Sequence, residues 1–398
     1  GNKSTCTFTV TVIDDIKPQV ICPGNISVPS TSSKGARVTF DVVAVDNCDT
    51  APKVECTPPS GSVFPIGDTL VACVATDAAG NTDICRFTVT VLDQSCCKDK
   101  AWNSADVTSP GARFGHSMAY DSARGRVVLF GGEGARGSFL ADTWEWDGKA
   151  WTRIGAEGPI ARAHAAMSYD SRLKRVILHG GRNLTAGLLD DTWLWDGAKW
   201  QLLLSKSVGG RFNHAMAYDS DRGVTVLHGG GNTDIDLDDT WEFDGKGWNK
   251  VFAGTGGPGG RQGHAMAYGS LQRQLLLFGG QNKGQANNEL WRWDGKVWKL
   301  LMKEGPIPRA FHGMAYNDNC DSVVVFGGGT NNVFAFSDTW EWNGKAWAQI
   351  SSGKLTARGQ TAMAHDSARN QTVLLGGTRF SGGQGTLFGT LLGLLQES

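Results

Sequence analysis

Residues 113–151 read RFGHSMAYDSARGRVVLFGGEGARGSFLADTWEWDGKAW, and the pattern returns along the chain. Its double glycine, Gly131-Gly132, recurs as Gly180-Gly181, Gly229-Gly230, Gly279-Gly280, Gly327-Gly328 and Gly376-Gly377, in steps of 49, 49, 50, 48 and 49 residues. The opening arginine keeps the same steps: Arg113, Arg162, Arg211, Arg261, Arg309 and Arg358. A fixed period near 50 with paired glycines and spaced tryptophans is the signature of a β-propeller.

Each unit predicts four short strands. In the first unit they are HSMAY, then RVVLF running into the glycines, then DTWEW, then KAWTRI. Trp144 and Trp146 share a face of the third strand by its period of two. DSARG and DGK supply the turns. The glycine pair ends a buried strand where neighbouring backbones crowd. One such sheet cannot bury both faces, so the sheets must pack side by side.

The apolar strand, double glycine and spaced aromatics resemble the kelch repeat, over roughly residues 99–398. The sixth unit departs from the pattern: after Gly377 comes TRFSGGQGTLFGTLLGLLQES, without DTWEWDG or a closing tryptophan. KDKAW, ending at Trp102, matches DGKAW, ending at Trp151. The expectation is a closed six-bladed ring. The segment around Trp102 supplies its last outer strand and Thr386–Leu394 the third strand of the sixth blade. Closure of this kind, known for kelch propellers, removes an open sheet edge.

Residues 1–98 differ sharply. They hold eight of the nine cysteines and no tryptophan, and they alternate in runs such as FTVTV and RVTFDVVAV. CPGNISV, AVDNC, GSVFPIGDTLV and ATDAAGN followed by CRFTVTV resemble the HYR (hyalin repeat) family, which implies an immunoglobulin-like sandwich. GNKSTCTFTVTVID (1–14) aligns with GNTDICRFTVTVLD (80–93). The expected organisation is all-β. Residues 1–14 form the terminal strand of a preceding HYR repeat or a donor strand, 15–95 the HYR domain, and 96–398 the propeller. The strand 1–13, apolar on one face, has three readings: a boundary within a tandem array, a strand given to another subunit's sheet, or one that folds back on its own chain.

Cys56 and Cys73 flank one turn region and are expected to pair. Cys22 or Cys48 is expected to join Cys85. Cys6 lacks an in-domain partner, the vicinal Cys96-Cys97 lie at the domain junction, and Cys320 reads as a lone, inert residue of the fifth blade. Small disulfide-bearing sandwiches belong outside the cell. Sequons stand at Asn2, Asn25, Asn183 and Asn370. They matter only where the source glycosylates them.

The 38 basic and 39 acidic residues are interspersed, for a net charge of −1. That gives no footprint for nucleic acid. No apolar run reaches the roughly 20 residues of a membrane-spanning helix. Chemistry is equally hard to find. His116, His214, His264 and His312 all sit three residues after the repeated arginine, and His179 and His228 precede double glycines. His164 and His365 are read as first-strand residues. Recurrence of this kind points to scaffold. The five tyrosines share one repeat position, which offers no exceptional tyrosine of the copper-radical oxidase type. No nucleophile elbow, zinc helix or phosphate loop is present, and no cofactor is called for.

The loops between second and third strands carry the variation. The candidate ligand contacts are Arg136, Arg182, Asn183, Asp234, Asp236, Asn282, Lys283, Asn331, Phe334, Phe336 and Arg379, because binding residues concentrate on loops held by a rigid scaffold. Asp234, Asp236 and Asp238 alternate and are the candidate calcium ligands, without the glycine or terminal glutamate of an EF-hand. The sequence therefore predicts an extracellular, non-enzymatic binding or adhesion protein. Its loop face contacts protein or glycan, and the HYR domain acts as a spacer. The alternatives are a surface-assembly subunit that self-associates through strand 1–13, and a secreted enzyme with its site at the propeller mouth. The enzyme reading requires non-repeated polar side chains in the central pocket.

Overall fold

The computed structural model describes residues 3–4, 6–10, 13–30, 34–92, 100–105, 110–155, 157–330, 335–350, 355–381, 384–387 and 392–397. The chain divides into two compact units, 1–95 and 96–398.

The first unit is an immunoglobulin-like arrangement of short sheets. Its strands are β1 (Gln19–Ile21), β2 (Ile26–Pro29), β3 (Ala36–Arg37), β4 (Val43–Val45), β5 (Lys53–Thr57), β6 (Val63–Phe64), β7 (Gly67–Thr76) and β8 (Thr82–Leu92). The main sheet runs β2-β8-β7-β5, with β1 paired to β4 and β3 to β6. Strict alternation buries Val71, Cys73 and Ala75 of β7, and Phe87, Val89 and Val91 of β8. These pack with Phe40 and Phe64, and the rings of Phe40 and Phe87 meet edge to face at 4.9 Å. Cys56 bonds to Cys73 directly across the β5–β7 register, and Cys22 bonds to Cys85. Cys48 and Cys6 are free and exposed, so of the two candidates for Cys85 the partner is Cys22.

The second unit contains six four-stranded antiparallel sheets. The first sheet comprises Ser117–Asp121, Arg126–Phe130, Thr143–Trp146 and Trp151–Ile154. Its second strand is buried on both faces, with Val127, Val128, Leu129 and Phe130 all at 2% exposure or less. One face packs on the sixth sheet through Val127, Leu129, Trp146, Val373 and Leu375. The other packs on the second sheet through Val128, Phe130, Val176, Leu178 and Trp200. The third to fifth sheets begin at Ala215, Ala265 and Gly313. First strands neighbour one another in sequence order, and that of the sixth sheet, Ala362–Asp366, returns to that of the first. The result is propeller-like.

The sixth sheet orders Ala362–Asp366, Gln371–Leu375, Leu392–Glu397 and then β9 (Lys100–Ala105). Trp102 lies opposite Leu395. Its indole nitrogen donates 2.8 Å to Thr339 Oγ1 of the fifth sheet, as Trp200 does to Thr143 and Trp298 to Thr240 at 2.9 Å. The third strand of this sheet is Leu392–Glu397, not Thr386–Leu394. Thr386 and Leu387 belong to a hairpin in which Gln384–Leu387 pairs with Thr378–Ser381.

The repeated arginine is the internal brace. Arg162 Nη1 donates 3.0 Å to Gly180 O, and its guanidinium grips Asp191 with both nitrogens at 2.6 and 2.8 Å. Arg113–Asp142, Arg211–Asp239 and Arg309–Asp338 repeat the fork, and Arg261 uses Glu289. The indole of Trp193 donates 2.6 Å to the same Asp191. Burial works against the Asp191 charge, but the Arg162 guanidinium and the indole outweigh it and hold the carboxyl below its usual range. The glycine pair is obligatory here: a β-carbon on Gly131, whose φ is 66°, would sit 2.6 Å from the Arg162 carbonyl oxygen.

Candidate functional site

Two residues beyond each arginine the backbone turns left-handed, at Gly115, His164, Asn213, Gly263, Phe311 and Gln360, with φ between 54° and 66°. Each amide donates to the carbonyl of the preceding sheet's residue. His164 N reaches Gly115 O at 2.6 Å, Asn213 N reaches His164 O at 2.9 Å, and Gly263 N reaches Asn213 O at 2.9 Å. Phe311 N reaches Gly263 O at 2.6 Å, Gln360 N reaches Phe311 O at 2.7 Å, and Gly115 N closes the circle on Gln360 O at 3.1 Å. Six residues, each giving its N–H and its C=O, thus form one closed hydrogen-bonded ring around the axis where the first strands begin. It satisfies backbone groups that a tight inward turn would otherwise strand.

The ring frames a cavity of about 110 Å³, lined by these six residues and by His116, Ala165, His214, His264, His312 and Thr361. The residue at the ring position varies around the circle: glycine, histidine, asparagine, glycine, phenylalanine, glutamine. The imidazole of His164 lies over Gly115, and the ring of Phe311 lies over Gly263. Asn213 hydrogen-bonds His164 and passes its amide to Gln262 Oε1 at 3.0 Å. Gln262 in turn donates 2.8 Å to Asp236 Oδ1. Burial, and then the Arg182 charge, push His164 down to about 3 against the opposing Asn213 bond, so its ring is neutral at physiological pH. Gln360 Oε1 and Thr361 Oγ1 are buried without a protein partner. No Asp, Glu, Lys or Arg lines the cavity.

His164 is therefore a ring residue and not part of a first strand; the positive φ at this position keeps it outside the Ala166–Asp170 pairing. The recurring histidines are spacers. The imidazoles of His116, His214, His264 and His312 abut Gly376, Gly180, Gly229 and Gly279 of the preceding sheet. His179 and His228 donate to or accept from Thr192 and Thr240 at 3.0 and 2.9 Å and meet His214 and His264 edge to face at 5.5 Å. Burial, foremost, pushes His116, His179, His228 and His312 down to about 3.

The loop candidates divide. Arg136, Asp234 and Lys283 are exposed. Arg182 is exposed too, with its guanidinium over Phe139 and Phe212 at 5.6 and 5.9 Å. Asn183 turns inward, donating 2.6 Å to Ala161 O and accepting from Thr185 and Ala186. Asn282 donates to Gly260 O. Phe336 packs under the Arg309 guanidinium at 4.6 Å. Asn331, Phe334, Asn2 and Cys96-Cys97 lie outside the described residues, as does the side chain of Arg379 on Thr378–Ser381. Cys320 is disulfide-bonded, which corrects its reading as a lone thiol.

Asp234, Asp236 and Asp238 do not assemble a calcium site among the described residues. Asp236 is spent on Gln262 and on the Lys283 amide at 2.7 Å, Asp238 packs on Gly254, and Asp234 faces solvent. Among the described residues, the acidic group with converging ligand atoms is Asp14, Asp46 and Asp77, in the first unit. A second axial cavity, of about 330 Å³, opens at the far end of the first strands. Tyr120, Tyr169, Tyr218, Tyr268, Tyr316 and His365 line it, with Asp318 replacing the serine found in the other five units.

Recurrence does not mark the ring position. Its residue changes from unit to unit two places after the constant arginine, but so does the residue before it, from Phe114 to Gly359, so variation alone does not single it out.

Comparison with known proteins matches residues 13–91 to the HYR domain. Over 98 residues the chain is 40% identical to hyalin of Strongylocentrotus purpuratus and 37% identical to hyalin of Lytechinus variegatus. Each match covers 23% of this chain, and 8% and 18% of the respective hyalins. The chain is thus similar to only a small part of either relative. A solved structure titled "Structure of YjhT" superposes with a TM-score of 0.57 at 17% identity, covering 72% of this chain and 97% of that one. At that identity the likeness concerns fold alone. The chain therefore carries an HYR domain in its first unit and a propeller-like all-β fold in its second.

Proposed function

We propose that this is an extracellular, non-enzymatic binding protein, in which an HYR spacer presents a six-bladed kelch-type propeller that contacts its ligand at the axial mouth. The carrying observation is the ring at 115, 164, 213, 263, 311 and 360, where a repeated scaffold presents non-repeated side chains around a cavity. The Cys22–Cys85 and Cys56–Cys73 disulfides and the hyalin likeness support an extracellular setting. No helix among the described residues is long and apolar enough to cross a membrane.

The cavity meets the condition set for an enzyme only at the ring position, where His164, Asn213 and Gln360 are non-repeated; the other histidines that line it are repeated. Its chemistry favours binding. His164 is held far from the pKa of an efficient acid or base near neutrality, and no carboxylate or thiol lines the cavity. The test is binding of the whole chain and of Phe311→Ala to arrays of glycans and extracellular proteins. Ligands lost on Phe311→Ala in a still-folded chain support the reading. Ligands all indifferent to the mouth refute it.

A specific observation favours a second role in assembly. Phe8, Val10 and Ile13 are 84%, 72% and 81% exposed, and Cys6 is a free exposed thiol. That segment copies β8, a strand that lies between β2 and β7 in its own sheet. Self-association in solution that disappears on deleting residues 1–13 supports strand donation, and an unchanged mass removes it.

A further inference from the structure

We infer that the axial mouth seats one uncharged pyranose unit of a glycan, with a hydroxyl of the sugar donating to Gln360 Oε1 and its C–H face against Phe311. This rests on the binding role proposed above and narrows it to a ligand class. Buried polar atoms are almost always paired. Gln360 Oε1 and Thr361 Oγ1 are adjacent in sequence, both buried, both without a protein partner, and both on the cavity wall. One is an acceptor; the other can donate and accept. Neighbouring hydroxyls on one ring answer both.

Charge argues in the same direction. A charged group moved into this cavity would lose its hydration and meet no opposite charge: the wall is neutral amide, hydroxyl, imidazole and aromatic carbon. Size fits as well. A single water needs about 10–15 Å³ on this measure, so a cavity of about 110 Å³ has room for a ring-sized group.

Shape supplies the last element. In a closed ring of six, the third neighbour lies opposite, so His164 faces Phe311 and Asn213 faces Gln360. Two flat rings thus flank the axis, each lying over a glycine, and two side-chain amides cross them. Half-buried Phe114 is next to the ring, with its centroid 6.1 Å from that of His164. Aromatic faces attract the positive C–H edge of a partner. A pyranose combines apolar C–H faces with a hydroxyl rim, which a lone peptide amide does not.

The test uses the whole chain and Gln360→Met, with the methyl pyranosides of glucose, galactose, mannose and N-acetylglucosamine, the methyl glucuronide anion and the glucosamine cation. Binding is read by saturation-transfer NMR and calorimetry. The prediction is that at least one neutral pyranoside binds at least tenfold more tightly than either charged sugar. Gln360→Met then weakens it about tenfold, the loss of one good hydrogen bond, while the unfolding midpoint holds or rises, since the change removes an unpaired buried atom. Equal binding of charged sugars, or neutral binding indifferent to Gln360→Met, overturns the proposal. So does a mouth that holds water only and binds no pyranoside. If sugars fail but an array ligand, a peptide amide included, is lost on Phe311→Ala, the pyranose assignment falls and the binding role stands. If neither depends on the mouth, both fall.

Discussion

The imidazole of His164 fills the space that a β-carbon on residue 115 would need; that atom would lie 2.6 Å from His164 Cε1. Phe311 stands to Gly263 in the same way, at 2.7 Å. The left-handed backbone at φ of 60° adds strain for alanine, though His164 and Phe311 carry the same φ, so the close contact is the part that a change at residue 164 can relieve. Gly115→Ala should therefore cost about 1–3 kcal/mol through overpacking. Most of that should return in the Gly115→Ala/His164→Gly double variant. Urea unfolding of the four-member cycle reads the coupling, and strict additivity would contradict the contact.

Removing one partner of the buried fork should be severe. The Arg162 side chain is fully buried while Asp191 is 18% exposed, so Asp191→Ala strands a guanidinium. The expected loss is about 3–5 kcal/mol. The control is Lys53–Glu55, 2.6 Å apart but exposed at 71% on both sides. Glu55→Ala should change stability by about 0–1 kcal/mol. Chemical denaturation of both variants compares them.

The seam of the sixth sheet should behave as a core contact despite its distance along the chain. Trp102 is 2% exposed and packs on Phe326 at 5.4 Å. Trp102→Ala should cost about 3–5 kcal/mol. Thr339→Val, which removes only the acceptor of the indole, should cost about 1–3 kcal/mol. Thermal unfolding ranks the two, and equal small effects would mean that β9 is not integral to the sheet.

Acid should destabilise the second unit. His116, His164, His179, His228 and His312 are lowered to about 3, and His214 and His264 well below their ordinary value, by burial first of all. The unfolded chain takes up protons near pH 6.5 and the folded one does not. Stability is thus full above pH 6.5 and falls as pH drops toward about 3, by up to about 1.4 kcal/mol per pH unit per histidine. His179→Phe with His228→Phe, the residue found at the matching positions Phe130, Phe278 and Phe326, should flatten the slope. Unfolding midpoints between pH 8 and pH 5 check this, and a flat wild-type profile would contradict it.

Periodic elements were legible in the sequence. The double glycines, the Arg frame and the outer tryptophans each repeat because each touches a neighbouring sheet in the same way every time. The third strand of the sixth sheet was misplaced because its unit lacks the DTWEWDG landmark, leaving only apolar and glycine residues to set the register. Two of the loop candidates already have partners within the chain. Asn183 and Asn282 look like free polar side chains in the sequence, yet Asn183 accepts from Thr185 and Ala186 of its own turn, as short amides commonly do, and both donate to the backbone just before the repeated arginine, at Ala161 and Gly260. The ring was hidden because a hydrogen bond between residues nearly 50 positions apart leaves no local trace.

Whether ligand binds at this ring is read by hydrogen–deuterium exchange of the whole chain with and without a bound ligand. Added protection should concentrate in the short segments about Gly115, His164, Asn213, Gly263, Phe311 and Gln360. Protection confined to the HYR unit, or to the far cavity about Tyr316 and His365, would contradict it.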